Sequence, residues 1–376
     1  MKKIVDILHI IIILSLCVSC GVQTKHGSEN FKNSLYTPEY ASGFVIDTDG
    51  ECNNLIRVTQ PWQGSDVEEQ TLAIFATEEA AEGYVGEYIV GAADRVVCMS
   101  TSHIAMLDAV GMVDAVVGVS GKQYITNEHV SQSVTVKDVG YDSNLNYELL
   151  VMLQPDVVLM YGVAAENSAV TAKLRNLGIP YLYLGDYTEE SPLGKAEWLV
   201  AISEIVGCRE RGVEEFREVV ERYEAVKAGV SRDGDVPKVM FNLPYQDVWY
   251  MPSDESYMVQ LVEDAGGEYI YKGKNTTRGS VAINLEEAYL LVADADVWLN
   301  VGQCSTMEEL QRAAPHFMAT SVVERGEVYN NNRRRTAAGG SDFWESAIVR
   351  PDVVLAELAA IVAGEACEPC YYQQLQ

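Results

Sequence analysis

The chain has 376 residues, 48% of them hydrophobic, which is long for one core and suggests two domains of ordinary size. Its 27 basic residues against 55 acidic residues give a formal charge of −28. This charge would repel a polyanion over most of the surface, so nucleic-acid binding is excluded.

The N-terminal residues have the pattern of an export signal. A lysine-containing start precedes an apolar run over residues 7–16 that is too short to span a bilayer. The small residues before Cys20 resemble a bacterial lipobox, which predicts a signal peptide over residues 1–19, cleavage before Cys20 and acylation of its thiol. An ordinary signal peptide that happens to contain a cysteine is the alternative. The polar residues 20–40 are predicted to form a flexible tether.

Strands and helices alternate after the first quarter of the chain, and the strands are continuous apolar runs. Examples are RVVCMS (95–100) and DVVLMY (156–161), and helices such as SHIAMLDAVG (102–111) end at glycine. Strands that are buried on both faces and separated by helices predict a parallel α/β sheet. Residues 41–92 contain short β-like pieces, which we expect to form antiparallel decoration. We assign all of these segments to an N-terminal lobe over residues 41–208.

A second α/β series begins at KVMFNL (238–243) and ends with the helix PDVVLAELAAIVAG (351–364), so we assign residues 231–376 to a C-terminal lobe. Between the two series, apolar residues recur at helical spacing from Arg209 to Gly229, with charged residues on the other face. A helix of that length is a rod of roughly 30 Å. The sequence therefore predicts an α/β protein of two lobes, whose parallel sheets are joined by one long rigid helix over residues 209–230.

One helix-and-strand step occurs twice, once in each predicted lobe. NYELLVMLQPDVVLMY (146–161) and NLEEAYLLVADADVWLN (284–300) both begin with asparagine, continue through an acidic, apolar helix and end in a buried strand. The acidic residues fall in the first turn of each helix: Glu148 in one segment, and Glu286 and Glu287 in the other. A carboxylate at that place interacts favourably with the helix dipole by ~0.3–1 kcal/mol, so helix capping alone would account for them.

Several segments in the same order resemble the substrate-binding proteins of ABC transporters for iron–siderophore chelates, haem and cobalamin. Besides the repeated step, the resemblance rests on RVVCMSTSHIAMLDAVGMVDAVVGVS and VYNNNRRRTAAGGSDFWESAIVRPDVVLAELAAI, and it covers about residues 95–365. It implies two rigid lobes bridged by a long helix, with the ligand cleft between them. It also implies that Glu148 and Glu286 dock onto arginines of the membrane permease. Glu287 competes with Glu286, because the local alignment can slip by one residue.

The resemblance further places aromatic and cationic side chains around the ligand, at the carboxyl ends of the strands, where open α/β sheets generally bind. The predicted ligand-binding residues are Tyr124, Tyr161, Trp249, Tyr250, Arg333, Arg334, Arg335 and Trp344. Aromatic rings offer a broad apolar face to a flat or chelated ligand, and guanidinium groups match carboxylate or catecholate oxygens. Core packing is the alternative for the aromatic residues, and a solvated basic turn is the alternative for the arginines.

The histidines of the mature chain, at positions 26, 103, 129 and 316, are never paired at metal-ligand spacing. A receptor that binds bare zinc or manganese is therefore not expected, and no cofactor or protein-held metal is predicted beyond the chelate itself. His103 could reach the cleft from the start of its helix. There it would either ligate a metal centre or form helix-terminal hydrogen bonds.

These observations predict an extracytoplasmic lipoprotein that captures a ferric siderophore or a related metal chelate. It would deliver this chelate to the permease and ATPase subunits of an ABC importer. A cobalamin-binding or haem-binding member of the same family is the first alternative. An exported enzyme on the same fold is an alternative of another class, but the chain contains no GxSxG, HExxH, P-loop or GxGxxG motif. We therefore expect no enzymatic activity, and a lipid-anchored monomer in the cell envelope that faces the periplasm.

Overall fold

The computed structural model describes residues 27–64, 69–163, 165–231, 234–275, 279–366 and 368–376. The predicted signal peptide, the acylated Cys20 and the start of the tether lie outside the described residues. None of the described helices is both long enough and apolar enough to cross a bilayer.

The segment ahead of the α/β repeats forms a five-stranded sheet. Its strands follow chain order: β1 (Asn33–Tyr36), β2 (Phe44–Thr48), β3 (Asn54–Val58), β4 (Gln70–Phe75) and β5 (Glu87–Val90). Strands β2 to β4 are antiparallel, which confirms the decoration predicted from residue 41 onward, whereas β5 pairs with β4 in parallel. Strand β1 also pairs antiparallel with β2 although it lies in the predicted flexible tether, so the tether prediction is wrong for residues 33–36. The chain between these two strands contains the short helix α1 (Glu78–Ala81) and provides the crossover that a parallel pair needs.

The first lobe contains a parallel sheet with the strand order β10-β9-β6-β7-β8. The strands are β6 (Val96–Cys98), β7 (Val116–Val119), β8 (Lys137–Asp138), β9 (Val157–Met160) and β10 (Tyr181–Tyr183). The helices are α2 (Thr101–Ala109), α3 (Glu128–Ser131), α4 (Tyr147–Leu153), α5 (Ser168–Leu177) and α6 (Pro192–Ile205). Successive residues of β6 face opposite sides, so Val96 packs with α2 and α6 while Val97 packs with α4 and α5. Helices therefore cover both faces, which explains why the strands are continuous apolar runs.

Helix α7 (Arg209–Gly229) connects the two lobes, as predicted. Phe216 packs in the hydrophobic core of the first lobe, whereas Val219 and Tyr223 pack in the core of the second. The Tyr223 hydroxyl also donates a hydrogen bond of 2.7 Å to Asp264. Because one helix contributes to both cores, bending it would disturb the packing of either lobe.

The second lobe contains a sheet with the strand order β13-β11-β15-β16-β17, which is parallel except for the antiparallel edge strand β17. A separate antiparallel ribbon pairs β12 with β14. The strands are β11 (Lys238–Phe241), β12 (Trp249–Met251), β13 (Glu268–Tyr269), β14 (Val281–Ile283), β15 (Val297–Leu299), β16 (Val328–Asn330) and β17 (Gln373–Gln374). The helices are α8 (Tyr257–Asp264), α9 (Leu285–Asp294), α10 (Met307–Ala313), α11 (Ser321–Glu324) and α12 (Pro351–Ala363).

Buried glutamates fix both ends of the described chain. The carboxylate of Glu357, on α12, accepts hydrogen bonds from the backbone N–H groups of residues 370–372, which holds the C-terminal tail beside β16. Glu197, on α6, accepts in the same way from residues 39–41 and from the Tyr36 hydroxyl. Several N–H donors on one carboxylate offset the cost of removing its charge from water.

Candidate functional site

The lobes touch each other through residues that follow β7 and β16. Glu345, which is only 2% exposed, accepts backbone N–H bonds from Thr126 at 2.8 Å and from Asn127 at 2.6 Å. The Thr126 hydroxyl donates to Asp342 at 2.9 Å. Burial raises the pKa of the Glu345 carboxyl, although the N–H bonds oppose that rise. We call this contact, residues 342–345 against residues 126–127, the interlobe latch.

In the described part of the chain, at least three cavities lie between the lobes, each with walls from both. The arginine cavity, of about 790 Å³, is lined by residues 333–335. The lysine cavity, of about 310 Å³, is lined by Lys195 of α6. The tryptophan cavity, of about 450 Å³, is lined by Trp62. The lysine and tryptophan cavities adjoin each other, because Tyr187 and Tyr257 line both.

The three predicted arginines share the arginine cavity but have different partners. Arg334 Nη1 lies 3.0 Å from Asp342 Oδ2, so its charge is already compensated. Arg335 Nη1 donates to the uncharged carbonyl oxygen of Gln303 at 3.4 Å. Arg333 is exposed at the same cavity. The three consecutive arginines could therefore present more than one guanidinium group to a bound anion.

Trp344 lines the lysine cavity with its indole ring accessible. It is 57% exposed, whereas Phe343, whose ring meets it edge-on at 5.0 Å between centroids, is buried. The Thr101 hydroxyl donates to the Trp344 carbonyl oxygen at 3.3 Å, which ties this segment to the first lobe. Core packing is thus excluded for Trp344, and a flat ligand could stack on it.

The tryptophan cavity contains residues that the sequence analysis missed. Trp62 packs edge-on against Tyr183, with 5.4 Å between ring centroids, and Tyr187 shares the cavity with it. Glu190 and Glu255 line the same cavity from opposite lobes. A tryptophan in a polar turn after a strand was the signal that could have identified this site, because binding residues concentrate on loops that a rigid scaffold positions.

The predicted tyrosines are accessible but do not line these three cavities. Tyr124, Tyr161 and Tyr250 are 42%, 40% and 45% exposed. Tyr124 lies where the lobes meet, because a Cβ on Gly340 would be 1.9 Å from the Tyr124 carbonyl oxygen. Burial, followed by the charge of Asp142, raises the pKa of Tyr161. Ligand contacts by these tyrosines stay predictions.

Trp249 lies in the core of the second lobe rather than at the cleft. It is fully buried, stacks on Trp298 at 5.8 Å between centroids and donates from its indole nitrogen to the Phe241 carbonyl at 2.8 Å. Alternate residues of β12 face opposite sides, so Tyr250 points outward while Trp249 and Met251 point inward. The structure therefore contradicts the predicted ligand contact of Trp249 and supports the alternative, core packing.

His103 is also fully buried, and neither ring nitrogen has a hydrogen-bond partner among the described residues. Its Nε2 lies 3.8 Å from Asp186 Oδ1. Burial alone would raise the pKa of Asp186, but His103, Lys195 and Ser102 outweigh it, so that pKa is lowered. His103 therefore faces a buried carboxylate and does not offer a ligand to the cleft surface. Across the described ranges, no group of three or more His, Cys, Asp or Glu side chains is placed to hold a metal ion.

The repeated helices α4 and α9 begin in the same way. The side chain of Asn146 accepts a backbone N–H bond at 3.0 Å, and that of Asn284 accepts one at 2.8 Å. In this shared register, Glu148 and Glu286 both come two residues after the capping asparagine, and both are exposed, whereas Glu287 is half-buried. The caps therefore pair Glu148 with Glu286 rather than with Glu287.

Two α/β lobes, a bridging helix and cavities walled by both lobes define a two-lobe binding protein. Residues 96–338 match the periplasmic binding protein family, and the chain belongs to that family, whose members are substrate-binding transport proteins. An uncharacterized lipoprotein of Methanocaldococcus jannaschii is 27% identical over 285 residues, which are 72% of this chain and 66% of that protein. The chain spans between 51% and 66% of the length of the curated relatives that it matches.

Solved structures share the fold at low sequence identity. A periplasmic heme-binding protein from Pseudomonas aeruginosa superposes with a TM-score of 0.57 at 17% identity, covering 76% of this chain and 98% of that one. The siderophore-binding protein of Vibrio cholerae, bound to Fe³⁺–Desferal, superposes with a TM-score of 0.52 at 18% identity, covering 71% and 98%.

Proposed function

We propose that this protein is an extracytoplasmic lipoprotein that captures a ferric siderophore or a related metal chelate and delivers it to the permease of an ABC importer. The cavities between the lobes carry this proposal. Each has walls from both lobes, so a ligand bound there would hold the lobes in one relative orientation. A permease that contacts both lobes could therefore bind that orientation in preference to others.

The ligand is proposed to be an anionic ferric chelate. Residues 333–335 offer guanidinium groups to catecholate or carboxylate oxygens, and Trp344, which is 57% exposed, offers a flat apolar face. Haem or cobalamin is the alternative cargo. The heme-binding and siderophore-binding proteins with the same fold support this class of ligand.

Delivery is proposed to use Glu148 on the first lobe and Glu286 on the second, each on the first turn of an asparagine-capped helix. Both carboxylates are exposed, so they would be free to meet arginines of the permease, whose ATPase subunits drive import. Anchoring is proposed to occur through acylated Cys20, with a monomer facing the periplasm. A lipoprotein relative supports the anchor.

The proposed cargo is tested by purifying the full-length protein from its native host and recording its absorption spectrum. Ferric siderophores, haem and cobalamin absorb differently, so a copurified chromophore identifies the class. The emptied protein is then titrated with a ferric catecholate complex, ferrioxamine, haemin and cyanocobalamin, using tryptophan fluorescence. We expect tight binding of a ferric siderophore complex. A protein that copurifies with no chromophore and binds none of the four would contradict the proposed function.

A further inference from the structure

Lys195 is a buried cation that lines the lysine cavity. It stands in the first turn of α6 and is 8% exposed. Its Nζ donates a 2.9 Å hydrogen bond to the Asp186 carbonyl oxygen and lies 4.7 Å from the ring centroid of Tyr257, across the lobe boundary. Burial lowers the pKa of Lys195, and this effect exceeds the opposing influence of Asp186 and Glu189.

The two acidic residues that influence Lys195 most are occupied elsewhere. Glu189 accepts hydrogen bonds from the backbone of Ser42 and Gly43 and from the indole of Trp198. The Asp186 carboxylate interacts with His103 and Ser102. Throughout the described part of the chain, no carboxylate oxygen is recorded within 4.0 Å of Lys195 Nζ.

An ammonium group has three N–H donors, and in the described structure Lys195 uses one of them on a protein acceptor. A buried charge with no counter-charge in direct contact is energetically costly, and proteins normally pair such a group or bind a ligand to it. Its Nζ also faces the ring of Tyr257 at 4.7 Å, and the residue lines an open cavity of about 310 Å³. The missing partner is therefore expected to come from a ligand in that cavity.

The rest of the lysine cavity shows what kind of group fits. Leu261, Phe343 and Trp344 give it apolar and aromatic walls, and Ser100 adds a hydroxyl. The volume lies at the lower end of the roughly 300–1,000 Å³ range typical of small-molecule pockets. An aromatic or short aliphatic arm carrying an anionic oxygen would match both the walls and the lysine. The bulk of a larger ligand could occupy the adjoining tryptophan cavity.

We propose that Lys195 pairs with an anionic oxygen of the bound ligand, a carboxylate or phenolate on an arm that enters the lysine cavity, and so selects anionic chelates. The proposal rests on the function proposed above and adds to it a residue that determines specificity for the anionic cargo. Trp344 packs against the arm from the second lobe, so the same contact joins the two lobes.

The test uses the full-length protein emptied of ligand, with the variants Lys195→Met, Lys195→Gln and Lys195→Arg. Gln can still donate to the Asp186 carbonyl without the charge, and Arg keeps the charge. The matched control is Lys137→Met, which removes an exposed lysine that also donates to a backbone carbonyl, that of Val134 at 2.7 Å. Circular dichroism and thermal denaturation confirm that each variant is folded.

The probes are ferric catecholate and haemin, which are anionic, ferrioxamine, which is cationic, and cyanocobalamin, which is neutral. We expect wild type to prefer an anionic probe. Lys195→Met and Lys195→Gln should each weaken the affinity for that probe by at least about thirtyfold, which is the lower bound for losing a buried charge contact. Arg should retain most of the affinity, and the Lys137→Met control should match wild type.

A purely structural role for Lys195 would change the melting temperature without this dependence on probe charge. Unchanged affinity for the anionic probe in both Lys195→Met and Lys195→Gln overturns the proposal and leaves the proposed function standing. Preference of wild type for ferrioxamine or cyanocobalamin overturns this proposal and the anionic charge of the proposed cargo, but leaves the capture of a metal chelate standing. Failure of wild type to bind any probe overturns the proposed function and this inference with it.

Discussion

The positively charged side chains in the cleft differ in whether a carboxylate of the protein already neutralises their charge. Arg334 is paired with the carboxylate of Asp342 at 3.0 Å, whereas Arg335 and Lys195 donate to uncharged carbonyl oxygens. In a chain with a formal charge of −28, the cations without a carboxylate partner are the ones whose charge a ligand can use. Arg335 and Lys195 therefore rank above Arg334 as candidate ligand contacts.

The arginine run gives the first prediction. Arg333→Ala, Arg334→Ala and Arg335→Ala, tested singly, should include at least one loss of affinity for ferric catecholate of about 2–5 kcal/mol, as for a desolvated charge contact. Arg334→Ala should also lower stability by about 1 kcal/mol, because it removes the partner of buried Asp342 although Arg334 itself is half-exposed. Tryptophan fluorescence titration gives the affinities, and thermal denaturation gives the stabilities.

The control for these variants is Arg312→Ala, because the Arg312 side chain is 69% exposed and lies outside the three cavities. It should leave both affinity and stability close to wild type. If all three arginine variants bind ferric catecholate like wild type, the run is a solvated basic turn.

Individual site residues were predictable only where the local pattern determines their exposure. The alternation of β12 places Trp249 and Tyr250 on opposite faces, so the two could not both line the cleft, and the structure shows that Trp249 is the one pointing inward. Lys195 could not have been found in this way. It lies in a helix whose residues are all buried, and its cavity exists only because Tyr257 and Trp344 arrive from the other lobe.

At the scale of secondary-structure elements, the interlobe latch joins the turn after β7 to the segment after β16. Its central group is the Glu345 carboxyl, whose burial raises its pKa above the ordinary 4.5. Between 4.5 and the raised value, the folded protein binds a proton that the unfolded chain does not. The stabilising contribution of this group is therefore full below that window and declines as pH rises through it.

The direction of this pH dependence gives the second prediction, which uses Glu345→Gln. The substitution removes the titration and keeps one carbonyl acceptor for the N–H groups of residues 126–127. The free energy of unfolding of wild type minus that of Glu345→Gln should decrease as pH rises through the window, measured by urea denaturation at several pH values. A difference that grows with pH would mean that the N–H bonds outweigh burial and lower the pKa of Glu345.

Hydrophobic periodicity predicted the types of the secondary-structure elements more readily than it predicted how the strands pair. Continuous apolar runs identified the buried parallel strands, and helical spacing identified α7 with its observed ends. Strand β17 was not predicted, because its two glutamines have no apolar pattern and it pairs only where Glu357 holds the tail. The parallel pairing of β5 likewise depends on a crossover path, which local sequence does not specify.

At the scale of the whole molecule, the proposed anchor gives the third prediction. Cys20→Ala should prevent acylation, so the protein should either leave the membrane fraction or accumulate as an unprocessed precursor. Cell fractionation and mass spectrometry of the N-terminus measure both outcomes. The matched control is Cys52→Ala, because Cys52 is an exposed free thiol of the folded part and should not affect anchoring. A Cys20→Ala protein that is still processed, acylated and membrane-bound would show that the anchor lies elsewhere.

The proposed delivery would require both lobes to meet the permease at once, and α7 makes this geometrically possible by contributing to both hydrophobic cores. The proposed docking residues Glu148 and Glu286 stand at the same position of two asparagine-capped helices, one on each lobe. Helix α4 packs on the face of the first-lobe sheet opposite to α6, so Glu148 is carried on the side away from that helix. Rim charges of this kind chiefly set the encounter rate and the register of a complex.

The last prediction concerns Glu148→Ala combined with Glu286→Ala. Ligand affinity should stay near wild type and stability should fall only by ~0.3–1 kcal/mol per site, because an exposed first-turn carboxylate contributes little beyond the helix dipole. Uptake by the cognate transporter in reconstituted vesicles, at equal ligand occupancy, should fall sharply and by more than in either single variant, since two contacts on one rigid body reinforce each other. Glu308→Ala is the matched control, because Glu308 is exposed at the same position of the capped helix α10, where the dipole effect is joined only by an exposed pair with Arg312 at 3.8 Å. Glu287→Ala, which removes a half-buried neighbour, should reduce uptake less than Glu286→Ala if the shared cap register identifies the docking residue. Wild-type uptake in the double variant, with stability reduced as in Glu308→Ala, would mean that both glutamates serve only to cap their helices.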